Sequence, residues 1–284
     1  MGNKYIPKRE VELVVISDVH LGAFGCHAKE LLIYLRSVRP KMLVLNGDII
    51  DIWQFRKRYF PKSHLMVIRY LTGLIARNTK IVYITGNHDE LMRKFTKFNI
   101  GSFKLVNKLL LEMDGKKIWI FHGDVFDITM QYSKWLAKLG SIGYDLLIML
   151  NSTINFLLNS IGREKISFSK RIKNSVKSAL SYIDKFEETA AEIAISKGYT
   201  HVVCGHIHQP VIRIISNTNG NVVYLNSGDW IENLSALEYN KGEWSIYNYR
   251  EDLFAQAYRA STKQFDSPSH KETFEELLKE FSLR

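Results

Sequence analysis

Five short runs of apolar, largely β-branched residues punctuate the chain, and each gives way at once to polar residues of one kind. Residues 11–16 run into Ser17-Asp18-Val19-His20, and residues 42–45 into Asn46-Gly47-Asp48. Residues 81–84 lead to Thr85-Gly86-Asn87-His88-Asp89, 118–121 to His122-Gly123-Asp124, and 201–204 to Gly205-His206-Ile207-His208. Length and composition predict a buried strand for each run. Residues 28–38 and 64–76 read as helices between the early strands. Alternating strands and helices predict βαβ units and a sheet that is parallel at its start. Downstream, residues 211–215, 222–226, 234–239 and 244–249 are short apolar runs with turn signals at Asn217-Thr218-Asn219-Gly220 and Asn240-Lys241-Gly242. They are expected to pair as hairpins in a second sheet.

In α/β sheets a ligand site lies beyond the carboxyl ends of the strands. A lone Asp or His at such an end is ordinarily a turn former or a helix cap. Turns alone do not explain five successive strand ends that all carry metal-ligand residue types. The spacing Asp18-x-His20, like His206-x-His208, fits an extended segment, in which residues two apart point the same way. Gly47, Gly86, Gly123 and Gly205 allow tight backbone paths beside these groups.

Taken in order, Asp18-Val19-His20, Gly47-Asp48-Ile49-Ile50-Asp51, Gly86-Asn87-His88-Asp89, His122 and Gly205-His206-Ile207-His208 resemble the five motifs of the calcineurin-like metallophosphoesterases. The resemblance implies an α/β fold: a two-sheet αββα sandwich with a helical insertion, or lid. It implies a phosphoesterase with two divalent ions, and Asp48 as the carboxylate that bridges them. Asp18, His20 and His208 would complete the first site, and Asn87, His122 and His206 the second. Carboxylate, amide oxygen and imidazole together suit manganese, the expected ion, and also iron or zinc. Two ions lower the pKa of a water held between them and stabilise charge on phosphoryl oxygens. His88 is implied as the catalytic acid or electrostatic partner at the leaving group. Asp51 and Asp89 are expected to orient imidazoles, and a plain turn or capping role stays open for both.

Gly86 to Arg93, His122-Gly123-Asp124, the long stretch 127–197 and Asn226-Ser227-Gly228-Asp229-Trp230 resemble one branch of that superfamily, the bacterial UDP-2,3-diacylglucosamine pyrophosphohydrolases. That implies hydrolysis of a lipid-linked nucleotide diphosphate to UMP and an acylated sugar 1-phosphate in lipid A assembly. The best-known members carry Arg where this chain has His88, the commoner superfamily choice. Asn87 and Arg93 are further candidates for substrate contact, as are Asn174 and Lys177, which match an Asn and a Lys three residues apart in the related insertions. Within the insertion, residues 139–161 are apolar with Asp145 as the one charge, long enough to span a bilayer. Asn151, Asn155 and Asn159 and the position inside a catalytic domain favour apolar-faced helices forming a lid at a membrane surface. An ordinary buried helical hairpin stays open. The basic run 163–177 could face phosphate, an anionic membrane or simply solvent. The chain is thus divided into a core of residues 1–126 and 198–260, an insertion of 127–197 and a tail of 261–284, in which 275–281 read as a short amphipathic helix.

The 284 residues, 46% hydrophobic, suffice for such a domain with an insertion. A net charge of +10 suggests an anionic partner or a solubilising surface. The expected partners are the lipid-linked substrate and, peripherally, the membrane surface. Nucleic acid is not expected, because the basic residues adjoin an apolar segment and no aromatic stacking platform. Cys26 and Cys204 are expected as free thiols in a reducing compartment, and the N-terminus has no apolar signal segment. Together these predict a cytoplasmic enzyme on the inner membrane. His27, His64, His201 and His270 read as ordinary. Two alternatives remain: another metal-dependent phosphodiesterase or phosphatase acting on a nucleotide or phosphoprotein, and a non-catalytic scaffold. A scaffold would be expected to lose ligands, and this chain keeps every one.

Overall fold

The computed structural model describes residues 8–52, 60–96, 98–127 and 169–261, with side chains from 181 to 259 in the last segment. Two sheets lie face to face. The first has seven strands in the order β12-β11-β1-β2-β3-β5-β4, and the second has five in the order β6-β7-β8-β10-β9. The first sheet is built from β1 (Arg9–Ile16), β2 (Val38–Asn46), β3 (Lys80–Ile84), β4 (Asn99–Ile100), β5 (Phe103–Val106), β11 (Ser235–Asn240) and β12 (Glu243–Asn248). The second comprises β6 (Leu109–Met113), β7 (Lys116–Ile120), β8 (His201–Cys204), β9 (Val211–Asn217) and β10 (Gly220–Asn226). Helices α1 (Ala28–Ser37), α2 (Lys62–Ala76) and α4 (Leu253–Ser261) belong to the first sheet's outer layer, and α3 (Ser169–Ser196) to the second's.

Strand alternation sorts the apolar residues into three cores. On β1, Val14 and Ile16 face α1 and α2, whereas Leu13 and Val15 face the second sheet. On β8, Val203 faces the first sheet, while Val202 and Cys204 face α3. Both faces of these central strands are buried, which is why they read as continuous apolar runs. Helix α3 meets its sheet through Phe186, Ala190, Ala191 and Ala194, all buried, and the small side chains let it lie close. It stops at Gly198, whose left-handed φ of +69° closes the last turn with a bond from its N–H to the Ile195 carbonyl.

The β1, β2, β3 and β5 pairings are parallel, as the alternation of strands and helices predicts. The four late strands behave differently from expectation. Only β9 and β10 join the second sheet; β11 pairs antiparallel with β1, so the β11–β12 hairpin extends the first. Both pairs are short apolar runs joined by a turn, which does not say which sheet each one joins. The second half of α3 is part of the sandwich's outer layer, although its sequence lies in the stretch expected as insertion. The apolar stretch 139–161 and the tail segment 275–281 lie outside the described residues, as does His270. Among the described residues no helix is long and apolar enough to cross a membrane.

Two histidines expected to be ordinary are structural. His64 Nδ1 accepts the Gly22 N–H at 2.9 Å, and burial lowers its pKa from 6.5 to about 4. His201, also buried, is lowered to about 4 by burial and then by Lys116. The unfolded chain protonates near 6.5, while the folded one resists until about 4, so the unfolded state binds more protons between those values. Stability is therefore expected to fall as pH drops from 6.5 towards 4. His64→Gln keeps an acceptor for Gly22 and should flatten that slope, measured by urea unfolding across the window; equal slopes in the two proteins would refute the assignment.

Candidate active site

The parallel registers bring the ends of β1, β2 and β3 level, with Ile16 opposite Leu45 and Asn46 opposite Ile84. In the second sheet β7 and β8 end side by side, and the Gly205 N–H bonds the His122 carbonyl at 2.9 Å. The two sheets are stitched together at this edge. Asn46 Nδ2 donates to the Phe121 carbonyl at 3.2 Å, and His122 Nδ1 lies 2.9 Å from the Asn46 carbonyl. The five strand ends thus converge on one crevice, contributed by both sheets.

Three clusters of ligand atoms gather there: Asp18, His20 and His208; His20, Asp48 and His88; and Asp48, His122 and His206. Within each, the atoms lie within 4.8 Å of one another. The first gathers Asp18, His20 and His208 of one implied set, and the third gathers His122 and His206 of the other with Asp48. His20 Nε2, Asn87 Oδ1 and His122 Nε2 are buried and make no hydrogen bond. Buried polar atoms without partners are rare. A cation is the partner that carboxylate, amide oxygen and imidazole share, so the donor set fits divalent metal.

The backbone here is not the extended segment that the Asp-x-His and His-x-His spacings suggested. Asp18, His20, Asp48, His206 and His208 all have positive φ, between 52° and 69°. Non-glycine residues seldom adopt this region, and such strain clusters at functional sites. A chain of contacts holds it in place. The Asp18 N–H bonds the Gly47 carbonyl, the His20 N–H bonds the Asp48 carbonyl, and the Trp230 N–H bonds the Asp18 carbonyl, at 2.9–3.1 Å. The His206 N–H and the His88 N–H donate to Asp18 Oδ2 and Asp48 Oδ1, at 3.0 and 2.8 Å. Burial pushes the Asp48 carboxyl up, but His122 and then His20 and His88 outweigh it and keep the group well below the usual range. Burial likewise opposes ionisation of Asp18, and His208 and His122 bring it down to about 2.

Asp51 Oδ2 lies 3.1 Å from His88 Nδ1 and 3.6 Å from His20 Nδ1, in reach of both imidazoles. Burial works against the charged form of His88, yet Asp51 and Asp48 lift it above its ordinary value. Asp89 departs from expectation. Its described hydrogen bonds involve no imidazole; it accepts the N–H groups of Gly86 and Ile49 and the Tyr83 hydroxyl, at 2.6, 3.1 and 2.6 Å. It braces the backbone of the two loops that carry Asp48 and Asn87, the turn role left open for it. The Arg93 guanidinium reaches Asp124 and the Gly86 carbonyl and so ties neighbouring loops together. Asn174 and Lys177 fall where only the backbone of α3 is described.

Four polar residues here carried no assignment from the sequence. Asp229 is buried and accepts the N–H groups of Ile231, Glu232 and Asn233 through Oδ1. Asn233 donates to the His208 carbonyl at 2.7 Å and pins that residue's backbone. Asp127 Oδ1 lies 2.9 Å from His206 Nε2 and accepts the Tyr182 hydroxyl at 2.5 Å. The Asn-Ser-Gly-Asp-Trp block pointed towards Asp229. Asp127 and Tyr182 are 55 residues apart, and no spacing rule joins them. An apolar cavity of about 490 Å³ lies beside the loop after Asp48, walled by Ile49, Ile50, Leu71, Tyr83, Met92 and Phe95 among others.

Residues 11–210 match the family described as calcineurin-like phosphoesterase. The chain belongs to that family. It is a metal-dependent hydrolase, and its two-sheet α/β fold is the one the motifs implied. Among its relatives is a UDP-2,3-diacylglucosamine hydrolase of Aliivibrio fischeri (strain MJ11), 23% identical over 242 residues, covering 83% of this chain and 97% of that one. The UDP-2,3-diacylglucosamine hydrolase of Blochmanniella pennsylvanica (strain BPEN) is 27% identical over 240 residues, covering 81% and 93%. A solved archaeal phosphodiesterase is also similar, at a TM-score of 0.40 and 15% identity over 83% of this chain and 98% of that one.

A Cβ added at Gly86 would fall onto Asp48 Oδ1 and within 2.7 Å of the Asp48 main-chain nitrogen. Gly86→Ala should therefore displace Asp48 and weaken metal binding, by about tenfold or more as for other losses of support around a ligand. Metal content after dialysis checks this; a full complement of ions in the variant would contradict it.

Proposed function

We propose that this phosphoesterase hydrolyses the diphosphate of UDP-2,3-diacylglucosamine with a pair of divalent ions, to UMP and the acylated sugar 1-phosphate. The observation that carries the two-ion reading is the pair of ligand clusters Asp18–His20–His208 and Asp48–His122–His206 in one crevice, with the partnerless oxygen of Asn87 buried beside them. In this reading Asp48 is shared by both ions, and Asn87 completes the second set. Manganese is the ion favoured, with iron and zinc compatible with the same donors. When bound, the ions supply a water of lowered pKa and positive charge for the phosphoryl oxygens.

The protein's own groups do the rest. The Asn46 carbonyl, as acceptor, fixes the proton of His122 on Nδ1 and turns Nε2 towards Asp48. Asp51 holds His88 at the crevice with its charged form favoured, as a proton donor to a leaving phosphate or an electrostatic partner for it requires. Two findings support the lipid-linked substrate. Relatives named for that substrate align over nearly their whole length. An apolar cavity beside the loop after Asp48 also offers room for an acyl chain. Stretch 139–161 and the basic run after it would add apolar area and charge at the cytoplasmic face of the inner membrane. Arg93, Asn174 and Lys177 are the further candidates for substrate contact.

The test compares the manganese-loaded enzyme on UDP-2,3-diacylglucosamine, UDP-N-acetylglucosamine and a cyclic nucleotide. The acylated substrate should have the highest kcat/KM, by about 10²-fold if about 110 Å² of acyl surface is buried in the transition state. Equal kcat/KM with and without acyl chains would replace the lipid reading by that of a phosphodiesterase for water-soluble substrates. His88→Ala should keep its metal but lose about 10²-fold in turnover. A substrate with a poor leaving group is needed, since a good one masks loss of a proton donor; unchanged turnover there would remove His88 from the chemistry.

A further inference from the structure

Asp127 stands where the chain leaves the second sheet, just after the 3-10 turn Asp124–Phe126. Tyr182 stands where it returns, on α3. The two meet. The Tyr182 hydroxyl donates to Asp127 Oδ1 at 2.5 Å, and the same oxygen lies 2.9 Å from His206 Nε2. Phe186, one helical turn beyond Tyr182, is fully buried against Phe126, with ring centroids 5.3 Å apart, and 6.2 Å from the His206 ring. Gly123 makes room for it, since a Cβ there would come within 2.5 Å of the Phe186 ring.

An imidazole has two nitrogens, and the group on one decides what the other can do. With Nε2 bonded to an ionised carboxylate, its proton sits there, and Nδ1 is left as the lone-pair nitrogen. Nδ1 is then the atom His206 can offer in the cluster with Asp48 and His122. We propose that Asp127 and Tyr182 are positioning residues: Asp127 fixes the tautomer and orientation of His206 for the second ion, and Tyr182 fixes Asp127. Both ends of the excursion between β7 and β8 are thereby fastened to one metal ligand, so filling the second site also steadies the root of that excursion. The proposal rests on the reading of His206 as a metal ligand given above.

The experiment titrates MnCl₂ into metal-stripped protein by calorimetry for the wild type, Asp127→Ala, Asp127→Asn, Tyr182→Phe and His206→Ala. Unfolding of each metal-free protein is measured in parallel. His206→Ala should lose one of two ions. Asp127→Ala should weaken that same ion by about 10–100-fold and leave the other unchanged. Asp127→Asn, whose amide oxygen can still accept the His206 N–H, should recover part of the loss. Tyr182→Phe should show a smaller loss of about two- to tenfold, because Tyr182 acts on His206 only through Asp127. Hydrogen exchange provides the second readout. Mn²⁺ should slow exchange of the backbone around Tyr182 in the wild type and not in Asp127→Ala. A merely structural role would lower metal-free stability and leave manganese affinity alone. Wild-type affinity for both ions in Asp127→Ala and Tyr182→Phe, with an ion lost in His206→Ala, overturns the proposal alone. Two ions retained in His206→Ala overturn it together with the ligand reading.

Discussion

Asp48 is a carboxylate almost sealed from water, 2% exposed, at the line where two sheets meet. A buried ionised group is costly unless every lone pair finds a donor or a cation. Much of the local structure answers that demand. The His88 N–H donates to one oxygen, and the His122 ring stands 3.3 Å from the other. Gly86 leaves the space that Asp48 occupies, and Gly47, at a left-handed φ of +81°, leaves the space that the His122 ring occupies. The glycines of the motifs are therefore shaped by the acidic and imidazole side chains beside them.

Five residues of the crevice sit on left-handed backbone, and the rest of the fold is what makes that tolerable. Each such residue costs on the order of 1 kcal/mol or more. The strands that feed these loops are buried on both faces and locked in register, so the loops have little room to relax. Cross-loop hydrogen bonds, from Asp18 to Gly47 and from His20 to Asp48, then fix the remaining freedom. A rigid sandwich holding strained loops gives preorganised ligands, which bind a metal without first paying to order themselves.

Support for the histidines comes from several elements. His122 is held from β2 through the Asn46 carbonyl, His208 from the loop after β10 through Asn233, and His206 from the excursion between β7 and β8 through Asp127. Each partner lies at least 25 residues from its histidine in sequence. Such distributed support makes the centre a property of the assembled domain.

The sequence by itself determined the strands, because apolar runs buried on both faces are written locally, and it determined the ligand types, because each follows its strand directly. Asp18, His20, Asp48, His122, His206 and His208, which the fold gathers into three clusters, each follow their strands in that way. Tertiary structure decided the rest. The two late hairpins joined different sheets, β11 beside β1 and β10 beside β8. The spacing of Asp18 and His20 suggested an extended chain, and only the closing of the β2 loop over it turned both residues left-handed. Asp89 looked like a partner for imidazole and became a brace for the backbone, since which donors reach its oxygens depends on how the loops after β2 and β3 meet. Asp127 and Tyr182 had no signal at all. Hydrogen bonds act over about 3 Å in space, whereas sequence patterns record periodicity along the chain, and nothing in the periodicity carries a contact made across a fold.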